Sequence, residues 1–390
     1  MEENAVQCIQ REAVLSNRES LRAIREMLLA NVVMAAEIPA PTGSERLLTR
    51  FLSDRFTEAG LTDIANDQAG NIAAVLPGRD HSRNILVAAH VDKVWPESDD
   101  HTVSVGVGSM RGRGIADNSL GVAVLATLPL ILERLSIALE ANLILLGTTR
   151  SFGRGDLAGM RFFLENTDRE IDGALCVEGM NLGRLSFSSL GMARGEIVVE
   201  LAGGSEDPDL ANAGVIAVLQ KALAELLQLN RTYHPDVKIL IGTVDSVSGY
   251  NVPPLLGKIC FEIRSREAER VAEVERLVQA LVEKLHASAD QLQVTVEIIA
   301  RRVPGDLGEG HPLVKAARHT LGILGVEARP EPSISELAAL LESGIPSLTL
   351  GVTKGEGRHS SRETIQLDRM PDGLAQIVSV LQFMDSGGCD

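Results

Sequence analysis

The sequence predicts an α/β fold, a mixed and mostly parallel sheet sandwiched by helices, with an inserted α+β unit of βαββαβ order. Three observations carry this. Short apolar runs alternate with amphipathic stretches in both outer parts of the chain, as buried parallel strands alternate with the helices that cover them. The middle breaks that rhythm and reads strand, helix, strand, strand, helix, strand. At 390 residues and 45% hydrophobic, the chain is long enough for two well-buried cores.

Each element has its own signal. Residues 16–36 place Leu21, Ile24, Leu28 and Val32 at helical spacing. Pro39 and Pro41 stiffen the turn that follows. Ser44 is the expected cap of a helix running through Leu48, Phe51, Leu52 and Phe56 to Gly60. Residues 71–76 and 84–89 read as strands buried on both faces. A helix over 120–135, a strand over 142–147, a helix over 157–166 and a strand over 173–177 continue the alternation. Strands over 193–201, 237–244, 258–264 and 293–300, with helices over 211–229 and 267–286, make the inserted unit. The first style then resumes, with helices over 312–324 and 335–343, a strand over 347–351 and a helix over 371–384. The expected division is 1–190 plus 302–390 for one discontinuous domain and 191–301 for the insertion.

Composition narrows the function. A formal net charge of −16 argues against a nucleic-acid partner, because phosphate backbones call for clustered Lys and Arg. Aromatics at 3% leave few platforms for base stacking. Four scattered cysteines, Cys8, Cys176, Cys260 and Cys389, form no CxxC pair, so a thiolate zinc site is not expected. No basic segment followed by an apolar one opens the chain, and the apolar runs are expected to fall short of a membrane span. A reducing, cytoplasmic compartment is the expectation.

Polar residues stand where α/β sheets gather their ligands, just beyond apolar strands. His90 and Asp92 follow one such run and share a face. Glu178 follows another, and residues 148–152 a third. Asp117 and Asn118 precede an apolar helix, and His359 sits in a loop after residues 347–351. Taken singly, each has a plainer reading: a capped strand end, a helix cap, a solvated turn acid, a surface histidine. As a set they offer imidazoles and carboxylates suited to a metal. The Gly-rich run 106–112 lacks the Gly-Lys-Ser/Thr ending of a phosphate loop and is expected to be a hairpin. No Gly-x-Ser-x-Gly elbow is present.

In this order the residues resemble the co-catalytic zinc exopeptidases and deacylases that include aminoacylase, acetylornithine deacetylase and peptidase T. The segments that carry the resemblance are Gly70-Asn71, His90-Val91-Asp92, Gly112 through Asn118, Asn251-Val252-Pro253 and Arg358-His359-Ser360. It implies one metal site from His90, Asp117 and Glu178. A second would share Asp117 as a bridge and add His359 and an acid from the 149–152 loop. Asp92 would hold His90 in place, while Asn251 and Arg264 would contact the substrate. The metal would be zinc, or more loosely manganese or cobalt. Substrates would be peptides or N-acyl amino acids, and the inserted unit would act as a lid and form a homodimer.

The chain departs from that pattern. Where the family carries Glu-Glu, a general base followed by a metal ligand, this chain has Ser151 and Phe152. Where the lid carries Gly-Gly-His-Ser, it has Gly203-Gly204-Ser205-Glu206. Ser151, Phe152 and Ser205 therefore leave three catalytic roles vacant, and one ion is expected rather than two. Asp156, Glu336 and Glu356 are the acids that could enter the gap. Two readings follow: a metallohydrolase of impaired or altered activity, or an inactive relative that serves as a binding or structural protein.

Overall fold

The computed structural model describes residues 9–201, 208–246, 254–289 and 291–389. The chain divides into two compact units, Met1–Ser189 with Asp306–Asp390, and Leu190–Gly305. In chain order the first unit opens with α1 (Arg11–Leu21), α2 (Arg25–Glu37), α3 (Arg46–Glu58), β1 (Thr62–Asn66), β2 (Ile72–Leu76) and β3 (Asp80–His90). It continues with β4 (Ser104–Val105), β5 (Ser109–Arg111), α4 (Leu120–Arg134), β6 (Ala141–Thr148), α5 (Ala158–Asn166), β7 (Gly173–Glu178) and β8 (Arg184–Ser186). The second unit holds β9 (Gly191–Leu201), α6 (Pro208–Tyr233), β10 (Val237–Ser246), β11 (Leu256–Ser265), α7 (Ala268–Ala287) and β12 (Leu292–Arg302). The first unit then closes with α8 (Pro312–Ile323), β13 (Arg329–Pro330), α9 (Leu337–Glu342), β14 (Ser347–Gly351), β15 (Gly355–Glu356), β16 (Thr364–Gln366) and α10 (Met370–Asp385).

The main sheet of the first unit has the order β1-β2-β6-β3-β7-β14-β8-β13. Its centre, β6-β3-β7-β14, is parallel; β1-β2, β2-β6 and β14-β8 pair antiparallel, and the outermost β8-β13 pair is parallel again. Alternation along β3 explains the layering. Ile85, Val87 and Ala89 join a core with α2, α3, α4 and α10, while Leu86 and Ala88 join another with α5 and α9. A small antiparallel sheet, β15-β16-β5-β4, carries the Gly-rich hairpin. The second unit is an antiparallel sheet, β10-β11-β9-β12, whose Ile197, Val199, Phe261 and Ile263 pack on Val215, Leu219, Val274 and Val278 of α6 and α7.

Several expectations need correction. The helix expected over 16–36 begins at Arg11 and is broken by a 3₁₀ turn at Arg22–Ile24. Ser44 is not a cap. Glu45 stands there, with its carboxylate accepting from Gly43 N at 2.8 Å and Arg150 N at 2.9 Å. Residues 115–134 are long and apolar enough to cross a membrane, contrary to expectation, and 94% of that apolar window is buried in the fold. This is the core helix α4, packed on α2, α3 and β3.

Candidate metal centre

Sheet order assembles the site. β6, β3 and β7 run parallel side by side, so their carboxyl ends open at the same end of the sheet. His90 ends β3 opposite Thr148, the last residue of β6, and Glu178 ends β7. Asp117 comes from the turn Ile115–Ser119 that feeds α4, and the Asp117–Asn118 peptide is cis. Asn118 fixes that turn to the end of β7, donating to Val177 O and accepting from Gly179 N, both at 2.8 Å. His359 comes from the turn between β15 and β16, with φ 60°, a left-handed value that His tolerates better than bulky residues do. Gly357 in the same turn has φ 71°, and an added Cβ would lie 2.9 Å from Arg362 O.

Three of the residues that sequence singled out converge. One ligand atom each from His90, Asp117 and Glu178 lies within 4.8 Å of the others, and all three side chains are buried. Ligands at about 2.1 Å from one tetrahedral ion lie about 3.4 Å apart, inside that limit. The His90 ring nitrogen Nδ1 is 3.1 Å from Asp92 O, which fixes the proton there and leaves Nε2 as an acceptor. Nε2 lies 2.9 Å from Asp117 Oδ1, a buried oxygen with no hydrogen-bond donor among the described residues. Two acceptors this close need a cation or a proton between them. The donor set therefore fits a divalent ion of borderline or hard character.

Electrostatics point the same way. Burial alone would lower the His90 pKa, but the Asp117 and Asp92 carboxylates outweigh it and raise it well above the ordinary value. Burial would raise Asp117, yet His359, His90 and Arg358 hold it well below the usual range. Glu178 is pushed up by burial and by the Asp117 charge. Asp92 Oδ2 accepts from Thr42 Oγ1, Ser151 N and Phe152 N at 2.8, 2.8 and 3.0 Å, so it ties the 149–152 loop to the His90 strand.

The second expected site is built differently. Asp117 Oδ2 accepts from His359 Nε2 at 2.7 Å and from Arg358 Nε at 2.5 Å. The Phe152 ring stands edge-on to both imidazoles, with centroids 5.0 Å from His90 and 5.9 Å from His359. An aromatic ring and a guanidinium thus lie beside the donors that a second ion would use. Ser151 is not isolated. Its hydroxyl donates to Glu336 Oε1 at 2.5 Å, and Thr148 Oγ1 donates to the same oxygen at 3.3 Å. Both Ser151 and Glu336 are buried, so an acid stands next to Ser151.

Arg264 belongs to the second unit, where it pairs with Glu262, which Arg194 also holds at 2.8 Å. Ser205 and Asn251 lie outside the described residues. Glu363 escaped the sequence reading. Its Oε1 accepts from Ala116 N and Asp117 N at 2.7 and 2.9 Å, and Oε2 from His359 N at 3.3 Å. It stitches together two ligand-bearing turns. The only available signal was an acid four residues after His359.

A family model described as peptidase family M20/M25/M40 matches residues 86–382, well over half of the chain. No curated protein matches the chain by sequence. Among solved structures, a dipeptidase from Saccharomyces cerevisiae superposes with TM-score 0.77 at 13% identity, covering 97% of this chain and 99% of that one. A tripeptidase from Staphylococcus aureus gives 0.71 at 19% identity, covering 93% and 99%. A protein of Bacillus subtilis described as a dinuclear metal-binding peptidase of the M20 family gives 0.60 at 18%, covering 92% and 99%.

Proposed function

This chain belongs to peptidase family M20/M25/M40, and on that premise we propose that it is an amide hydrolase built around one metal ion, acting slowly on peptides or N-acyl amino acids. The convergence of His90, Asp117 and Glu178 carries the reading. These residues would hold the ion, zinc being the best match to one imidazole and two carboxylates. An ion there supplies polarisation of a carbonyl and acidification of a water. Asp92 and Glu363 do no chemistry. They orient His90 and Asp117 through the contacts above.

Proton transfer is the weak step. As water adds to the amide carbon, its proton must leave, and the C–N bond breaks only as a proton reaches the nitrogen. Ser151 cannot take that proton unaided. Its hydroxyl is engaged with the Glu336 carboxylate, the acceptor that a relay would use. A directly placed base is worth ~10²–10⁴-fold in rate, so a relay through Ser151 is expected to sacrifice much of that. Zinc analysis beside turnover on a panel of dipeptides and N-acyl amino acids tests this. The expected result is one zinc per chain and slow, zinc-dependent hydrolysis. Absence of bound zinc sinks the proposal.

The substitutions at Ser151 and Phe152 favour a second reading, in which the protein binds such ligands without cleaving them. Stoichiometric zinc with no turnover on any panel member would select it.

A further inference from the structure

Arg358 has no part in the one-ion scheme, yet it lies against the central carboxylate. Its Nε donates to Asp117 Oδ2 at 2.5 Å, the oxygen that also faces His359. Its charge is locked in. An arginine guanidinium is not deprotonated in proteins. Phe152 fills the adjoining space between the two imidazoles. The 35% exposure of the Arg358 side chain and the absence of any partner for its terminal nitrogens among the described residues leave those nitrogens available.

We propose that the Arg358 guanidinium stands in for a second cation: it neutralises the outer oxygen of Asp117 and presents its terminal nitrogens to a carbonyl or carboxylate oxygen of the ligand. A guanidinium does this without ligands of its own, so the loss of an acid at Phe152 becomes tolerable. It offers charge and two parallel donors suited to a carboxylate, but it cannot acidify a water. Cation–cation repulsion at this distance then disfavours a second metal even if a ligand is restored. The proposal rests on the one-ion reading for its setting, and its test is an increment that does not depend on the starting count.

Zinc per chain is measured by calorimetry and mass spectrometry for wild type, Phe152→Glu, Arg358→Gln and the double variant. Phe152→Glu is expected to keep the wild-type count, and the double variant to bind one ion more. An extra ion in Phe152→Glu alone, or none in the double variant, overturns the proposal. A wild-type count of zero would refute the one-ion reading while the increment still decides this one. A second measurement covers misfolding of the double variant. Acetate and N-acetylglycine binding should weaken about tenfold in Arg358→Gln and be largely restored in Arg358→Lys. Unchanged affinity in Arg358→Gln removes the anion site.

Discussion

At the residue scale, the short distance between His90 Nε2 and the donor-free Asp117 Oδ1 has a measurable consequence. Without an ion, a proton on His90 bridges the two, and carboxylate charge raises the imidazole pKa well above normal. Zinc must displace that proton. Binding near neutral pH is therefore predicted to release about one proton per ion, and affinity to fall about tenfold per pH unit below the raised pKa. Calorimetry in buffers of different ionisation enthalpy checks it, and zinc uptake without proton release contradicts the assignment. Glu336 gives a second test. Glu336→Gln keeps an acceptor for the Ser151 hydroxyl but takes up no proton, so residual turnover should drop by ~10²-fold or more while zinc stays bound. Retained turnover would place the proton acceptor elsewhere. His90, Asp117, Glu178 and His359 were all legible as candidates because each follows an apolar run or opens a helix. Glu363 and the Glu336–Ser151 contact were not. They join positions 246 and 185 residues apart, and no local pattern encodes such pairs.

At the scale of elements, strands buried on both faces and amphipathic helices were readable because periodicity reports burial. The six short strands β4, β5, β8, β13, β15 and β16, of two or three residues each, were not, since so few residues show no period. Capping by a residue distant in sequence leaves no local signal. Lys93 shows this. Its Nζ, buried after β3, donates to Ala35 O, Ala36 O and Ile38 O at 2.7, 2.9 and 2.7 Å and so closes the carboxyl end of α2. The chain passes close by at Gly114, where φ is 68° and an added Cβ would lie 2.9 Å from Lys93 Cδ. Lys93→Met is predicted to destabilise the fold by about 3 kcal/mol, because three carbonyls lose their donor. Denaturant unfolding measures this, and a loss under about 1 kcal/mol would mean that water replaces the ammonium.

At the scale of the whole molecule, the topology brings together side chains that the sequence spreads over nearly 270 residues. The parallel order β6-β3-β7 places His90, the 149–152 loop and Glu178 side by side, and the small sheet adds His359. The family scaffold is shared with relatives of low sequence identity, so the fold depends on packing more than on any one polar residue. Packing preserves the scaffold, while chemistry depends on a few polar groups that can change without loosening the core. The most direct check is the zinc content of the full chain, saturated and then dialysed, for wild type beside His90→Ala. The prediction is one ion per wild-type chain and none in the variant. Two ions in the wild type, or equal counts in both proteins, would contradict it.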